Sequence, residues 1–183
     1  MSVAAFLRDA ANSFYTRFMA SAKENQTLST GEHAPDFRLD DLAGGEKRLS
    51  ELLTKEPVFL AFFKVSCPTC QFTLPFLDRM YHALAKGKAQ MFAVSQDDGE
   101  ATGEFHREFG ITMPTLLDSA RKGYPASNAY QLSHVPSMFL IERDGSISWS
   151  SVGFSKKDLE ALGAKLGVAA FQPGERVPES KSG

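Results

Sequence analysis

Residues 58–80, VFLAFFKVSCPTCQFTLPFLDRM, decide the fold. The stretch opens on an unbroken apolar run, Val58 to Phe63, bounded by Pro57 and Lys64, which predicts a buried strand. It continues through Ser66-Cys67-Pro68-Thr69-Cys70 into a helical pattern expected to run to about Lys86, with Phe72, Phe76, Leu77, Met80 and Leu84 facing inward. Cys67 and Cys70 are the chain's 2 cysteines. Two thiols three residues apart at a strand-to-helix junction point to a redox centre.

The spacing assigns the roles. Pro68 lacks an N–H and has a fixed φ, so it suits the first helical position. Cys67 is then the N-cap, and Cys70 lies one turn in. Free N–H groups and the positive helix end favour a thiolate at Cys67, the attacking species. Cys70, better buried, is placed to resolve a mixed disulfide. Three plainer readings compete. A structural disulfide over so short a loop stabilises little. A zinc site needs further ligands, and His33, His82, His106 and His134 show no paired spacing. Two inert core thiols are the third. No metal and no exogenous cofactor are expected, since the pair itself carries the redox couple.

The whole chain bounds the answer. Its 183 residues suit one domain, and 43% hydrophobic content with 15 Phe supplies a sizeable core. A formal net charge of −2, without a basic run, argues against a nucleic-acid partner. No segment reaches the apolar length of a membrane span. The N-terminus lacks a basic n-region, and Arg8 and Asp9 interrupt its apolar stretch. The sequence as it stands is expected to be cytoplasmic, or periplasmic if an export signal has been removed.

Along the chain, Val3, Phe6, Leu7, Ala10, Phe14, Phe18 and Met19 recur at helical spacing, predicting an amphipathic helix over 3–24 that packs on the body or on a second copy as a homodimer. Residues 33–39 and 46–49 read as a strand pair about Gly44-Gly45, and Ser50 as the cap of a short helix. After the helix closed by Gly87, residues 90–95 form a strand and 100–109 a helix ended by Gly110. That alternation predicts a largely parallel arrangement. Residues 111–118 read as loop with a short extended piece, and 124–132 as one or two helical turns interrupted by Pro125. Ser137 to Glu142 and Ile147 to Val152 flank an Asp144-Gly145 hairpin turn, and Ser155 caps a last helix striped by Leu159, Leu162 and Leu166. The tail from Gln172, rich in Pro, Gly and charge, is expected to be disordered. The division is therefore 1–31 helix and linker, 32–170 domain, 171–183 tail.

These elements, with CPTC, Val135-Pro136, the FLIERDG hairpin and the opening APDFRLDDLAGGEKRLSELL, resemble the thioredoxin fold in its peroxiredoxin-like branch. That branch holds alkyl hydroperoxide reductase relatives and the oxidoreductases of cytochrome c maturation. The resemblance spans about residues 32 to 168. It implies an α/β, thioredoxin-like fold, with a central mixed sheet, flanking helices, an N-terminal β-hairpin and the extra N-terminal helix. It also implies a cis Pro136 beside the cysteine pair, where the Val135 backbone meets an extended client chain. The expected partners are protein or small-molecule disulfides and dithiols, with an external thiol reductant or oxidant.

Several positions depart from the pattern. Ser66 stands where thioredoxins usually carry Trp, and Lys64 replaces a small residue. The buried acids of such proteins are absent: Ala61 and Thr73 occupy their places, leaving the proton acceptor for Cys70 open. Lys64, Ser66, Pro68, Thr69 and His134 are the candidate modulators. Two other functions compete with dithiol–disulfide exchange. A thiol peroxidase would use Cys67 as its peroxidatic residue, yet Lys64 stands where those enzymes have Thr or Ser, and neither Arg121 nor Arg143 can be assigned to the peroxide. A redox-inactive binding module would use the N-terminal helix and the Val135 edge.

Overall fold

The computed structural model describes residues 26–182. The helix expected over 3–24, and any dimer formed through it, lie outside the described residues. The framework is a seven-stranded mixed sheet in the order β2-β1-β5-β4-β3-β6-β7. Its central strand β3 (Val58–Phe63) is buried at all six positions. Side chains alternate across a strand, so Phe59, Ala61 and Phe63 face one core while Val58, Leu60 and Phe62 face the other. Burying each of the larger ones stabilises by about 1.5–3 kcal/mol.

Strand β3 pairs in parallel with β4 (Gln90–Ser95), and β4 with β5 (Thr115–Leu117). The other pairings are antiparallel: β1 (Arg38–Asp41) with β2 (Glu46–Arg48) and with β5, and β6 (Ser137–Ile141) with β3 and with β7 (Ile147–Val152). The sheet is thus less parallel than the strand–helix alternation suggested, because both margins are built from hairpins.

Helices cover both faces. The first core takes Leu74, Leu77 and Met80 of α2 (Pro68–Ala83), Phe105 of α3 (Gly99–Phe109), and Leu159, Leu162 and Leu166 of α5 (Lys156–Leu166). The second takes Leu49 and Leu52 of α1 (Leu49–Leu52) and Ala126 of α4 (Pro125–Ala129), with Tyr130 just beyond it. Three local expectations shift. Ser50 does not cap α1; its amide and hydroxyl both donate to Asp36, at 2.9 and 3.0 Å. Pro125 opens α4 instead of interrupting it, as its fixed φ allows. Helix α2 continues through Pro75 and ends at Ala83, where Leu84 turns extended, short of Lys86.

The tail also corrects an expectation. Instead of lacking structure, it crosses α2 and ends in β9 (Ser180–Lys181), paired antiparallel with β8 (Phe154–Ser155). Composition alone missed the anchors: Phe171 and Val177 pack against the first core, and Glu175 receives a bidentate pair from Arg79 at 3.0 and 2.9 Å.

Candidate active site

Strand β3 ends at Phe63, and three residues later the chain enters α2. Cys67 is the N-cap of that helix, in extended conformation, and Pro68 holds the first helical position. The Cys67 sulfur accepts the Cys70 amide at 3.2 Å. One orphan donor of the helix start is therefore satisfied by sulfur, in the way Ser or Asp oxygens serve elsewhere. Cys67 is half-buried and Cys70 fully buried, and both are free thiols. Burial pushes the Cys70 thiol far above its ordinary range. Its hydrogen bond with Cys67 and the negative charges of Cys67 and Asp97 add to that rise, while the Lys64 amide opposes it.

The loop before the pair is pinned at several points. The Val65 amide donates to Asp97 Oδ2 at 2.7 Å, and the Val65 carbonyl accepts from Gln71 Nε2 at 2.8 Å. The Cys67 amide donates to the Lys64 carbonyl at 3.1 Å. Asp97 and Gln71, which hold the loop before the pair, are contacts that the sequence did not reveal. Asp97 sat in a polar run after β4, and the one available signal was its place at the carboxyl end of a parallel strand, where α/β sheets gather their sites.

Opposite the pair lies the Val135-Pro136 bond, which is cis. The Cys67 sulfhydryl donates to the Val135 carbonyl at 3.4 Å. Of the candidate modulators, Lys64, Ser66 and Pro68 are exposed. Lys64 meets the pair through its backbone, not through its ammonium. His134 is exposed, with Nδ1 at 3.1 Å from the Ser133 hydroxyl. Thr69 is buried; its hydroxyl donates to the Ser182 carbonyl, and its own carbonyl accepts from Thr73 at 2.7 Å. Ala61 and Thr73 are wholly buried, so the positions of the absent acids are closed to solvent. Arg143 lies in the turn after β6, whose Ile141 pairs with Val58 at the far end of β3 from Cys67, and it donates to the Thr54 carbonyl. That distance removes it as a peroxide ligand at Cys67.

An N-capping, part-exposed thiol beside a buried one, facing a cis-proline loop at the end of a central strand, is the site of a thiol–disulfide oxidoreductase of the thioredoxin fold. Residues 30–150 match the AhpC/TSA family model, and the chain belongs to that family. Thiol-disulfide oxidoreductase ResA of Geobacillus kaustophilus is 32% identical over 148 residues, covering 80% of this chain and 81% of the relative. A solved thiol:disulfide interchange protein DsbE of Chlorobium tepidum is 30% identical, with a TM-score of 0.64 over 79% of this chain and 99% of that one. A secreted Mycobacterium tuberculosis disulfide oxidoreductase shares the fold at 18% identity, with a TM-score of 0.57, covering 72% and 94%.

The expected cytoplasmic placement is overturned by these relatives, one of which is a secreted disulfide oxidoreductase. A lone cysteine pair fits either compartment, so composition carried no information on this point. Among the described residues, no helix is long and apolar enough to cross a membrane.

Proposed function

We infer that Cys67 is the attacking thiol of this oxidoreductase and Cys70 the resolving one. The carrying observation is the contrast within the pair: Cys67 caps the helix with its sulfur and is only half-buried, while Cys70 is wholly buried with its thiol held protonated. In the reducing direction, the Cys67 thiolate attacks one sulfur of a client disulfide. A Cys67–client bond forms, and the other client sulfur leaves as a thiolate and takes up a proton. Cys70 then attacks the Cys67 sulfur, its proton passing to the departing client thiolate. The Cys67–Cys70 disulfide forms, the second client sulfur leaves, and two electrons have passed to the client.

The first step also prepares the second. Once Cys67 is in the mixed disulfide it carries no charge, so its part in raising the Cys70 pKa disappears. Val135 lines the approach, and an extended client strand along its backbone would bring a disulfide to Cys67. Clients are protein or small-molecule disulfides, and an external dithiol or thiol restores the pair. The catalytic domain of this reading is residues 32–170, with 1–31 as its N-terminal extension.

A turnover comparison tests the assignment. With dithiothreitol as reductant, the wild type should reduce insulin disulfides and Cys67→Ser should lose the activity, while Cys70→Ser, reduced and then freed of dithiothreitol, should stall after one adduct. Rapid peroxide consumption that survives in Cys70→Ser would instead establish a peroxidase.

A further inference from the structure

Residues 172–182 reach the active-site motif itself. The segment starts with a turn in which Gln172 and Glu175 bond each other's amides, at 2.9 and 3.1 Å, with Gly174 at φ +78°. Arg79 of α2 grips Glu175 there, and Val177 packs on the first core. Beyond Val177 the anchors change character. The Glu179 carbonyl accepts the Lys156 amide at 2.9 Å, and Ser180 and Lys181 pair with Ser155 and Phe154. The Lys181 ammonium sits 4.4 Å above the Phe72 ring. The Ser182 carbonyl then accepts the hydroxyl of Thr69, between the two cysteines.

The consequence is visible at Thr69. It occupies the first turn of the active-site helix, yet only 7% of it is exposed. Strand β8, on which the segment lies, follows Gly153, whose amide donates to the Pro136 carbonyl at 2.7 Å. Bonded contacts thus lead from Thr69 through the segment and β8 to Pro136, next to Val135, whose carbonyl accepts from Cys67. Cys67 itself is half-buried with the segment in place, whereas Thr69 beside it is buried.

We propose that residues 178–182 are a cis-acting strap that selects among the clients of this site. Closed, it admits low-mass disulfides to Cys67 and keeps folded protein disulfides off the Thr69–Phe72 flank. Protein clients react when it lifts, hinging at the 172–177 segment held by Arg79 and the core. Its contacts suit this motion: a two-residue strand pair, a Lys156–Glu179 ion pair at 3.7 Å and a surface cation over a ring are attachments of the kind that open locally while a domain stays folded. This inference rests on Cys67 being the attacking thiol.

The test is carried out on the full chain with the double variant Ser180→Pro/Lys181→Ala, which removes the strand pairing and the cation. The reduced protein is reacted with glutathione disulfide and with insulin. Releasing the strap should raise the insulin rate about tenfold, the gain expected when a state about one-tenth populated becomes dominant. The glutathione disulfide rate should stay within about twofold. A peptide of residues 176–182 added in trans should slow the insulin reaction again. An unchanged insulin rate, or an equal rise with both substrates, overturns the strap. A wild type inert toward both disulfides overturns instead the reading of Cys67. Hydrogen exchange on the unsubstituted protein gives an independent check: amides 179–182 should exchange well before those of α2, and equal protection would refute the proposal.

Discussion

Raising the pH should destabilise the reduced protein, and Cys70 should be the cause. In an unfolded chain a cysteine thiol titrates near 8.5. In the folded protein, burial in the first core holds the Cys70 thiol far above that. The folded-state value is the raised one, so the stabilisation is complete below about pH 8.5. As pH rises further, the unfolded chain releases a proton that the native state keeps, and stability falls. The slope is about 1.4 kcal/mol per pH unit, so moving from about pH 7.5 to 10.5 should remove about 2.7 kcal/mol. Urea unfolding of the reduced wild type and of Cys70→Ala at both pH values isolates the effect, because every other side chain is common to both proteins. The variant should be less stable at neutral pH, through its cavity, yet lose about 2.7 kcal/mol less on going to high pH. Identical pH dependence in the two proteins would refute the burial argument.

Two further substitutions probe the frame that carries the site. Asp118 is fully buried and accepts the amides of Ala126 and Ser127 and the Ser127 hydroxyl at 3.0, 2.6 and 2.6 Å. Asp118→Ala should cost about 3 kcal/mol or more by leaving these donors unpaired, read as a lowered urea midpoint. The Tyr130 hydroxyl is buried with no hydrogen-bond partner among the described residues. Tyr130→Phe should therefore be neutral or stabilise by up to about 1 kcal/mol, and a loss of 2 kcal/mol or more in urea unfolding would contradict that.

The parts legible in the sequence were those written in local pattern. The all-apolar β3, Pro68 at the first helical position and the Ser155 cap, which accepts the Asp158 amide at 3.2 Å, depend on neighbours a few residues away. The pairing of β1 with β5 was not legible, because no periodicity records which distant strand takes an edge. Asp97 on the Val65 amide is one bond across 32 residues, and nothing in a polar loop announces it. The tail misled because disorder was read from its average composition, whereas Phe171, Glu175 and Val177 act individually at sites on and around α2. The cis bond at Pro136 came from resemblance alone; without it, Pro136 reads as a proline at the start of a strand.

The division of labour between the cysteines is the central claim, and trapping the mixed disulfide tests it most directly. Each single Cys→Ser variant, reduced and then exposed to glutathione disulfide, is followed by intact mass spectrometry. Cys70→Ser should acquire one stable glutathione adduct on Cys67 within the wild-type reaction time, while Cys67→Ser, left with the buried thiol, should stay unmodified. An adduct forming on Cys70 as fast as on Cys67 would contradict the assignment.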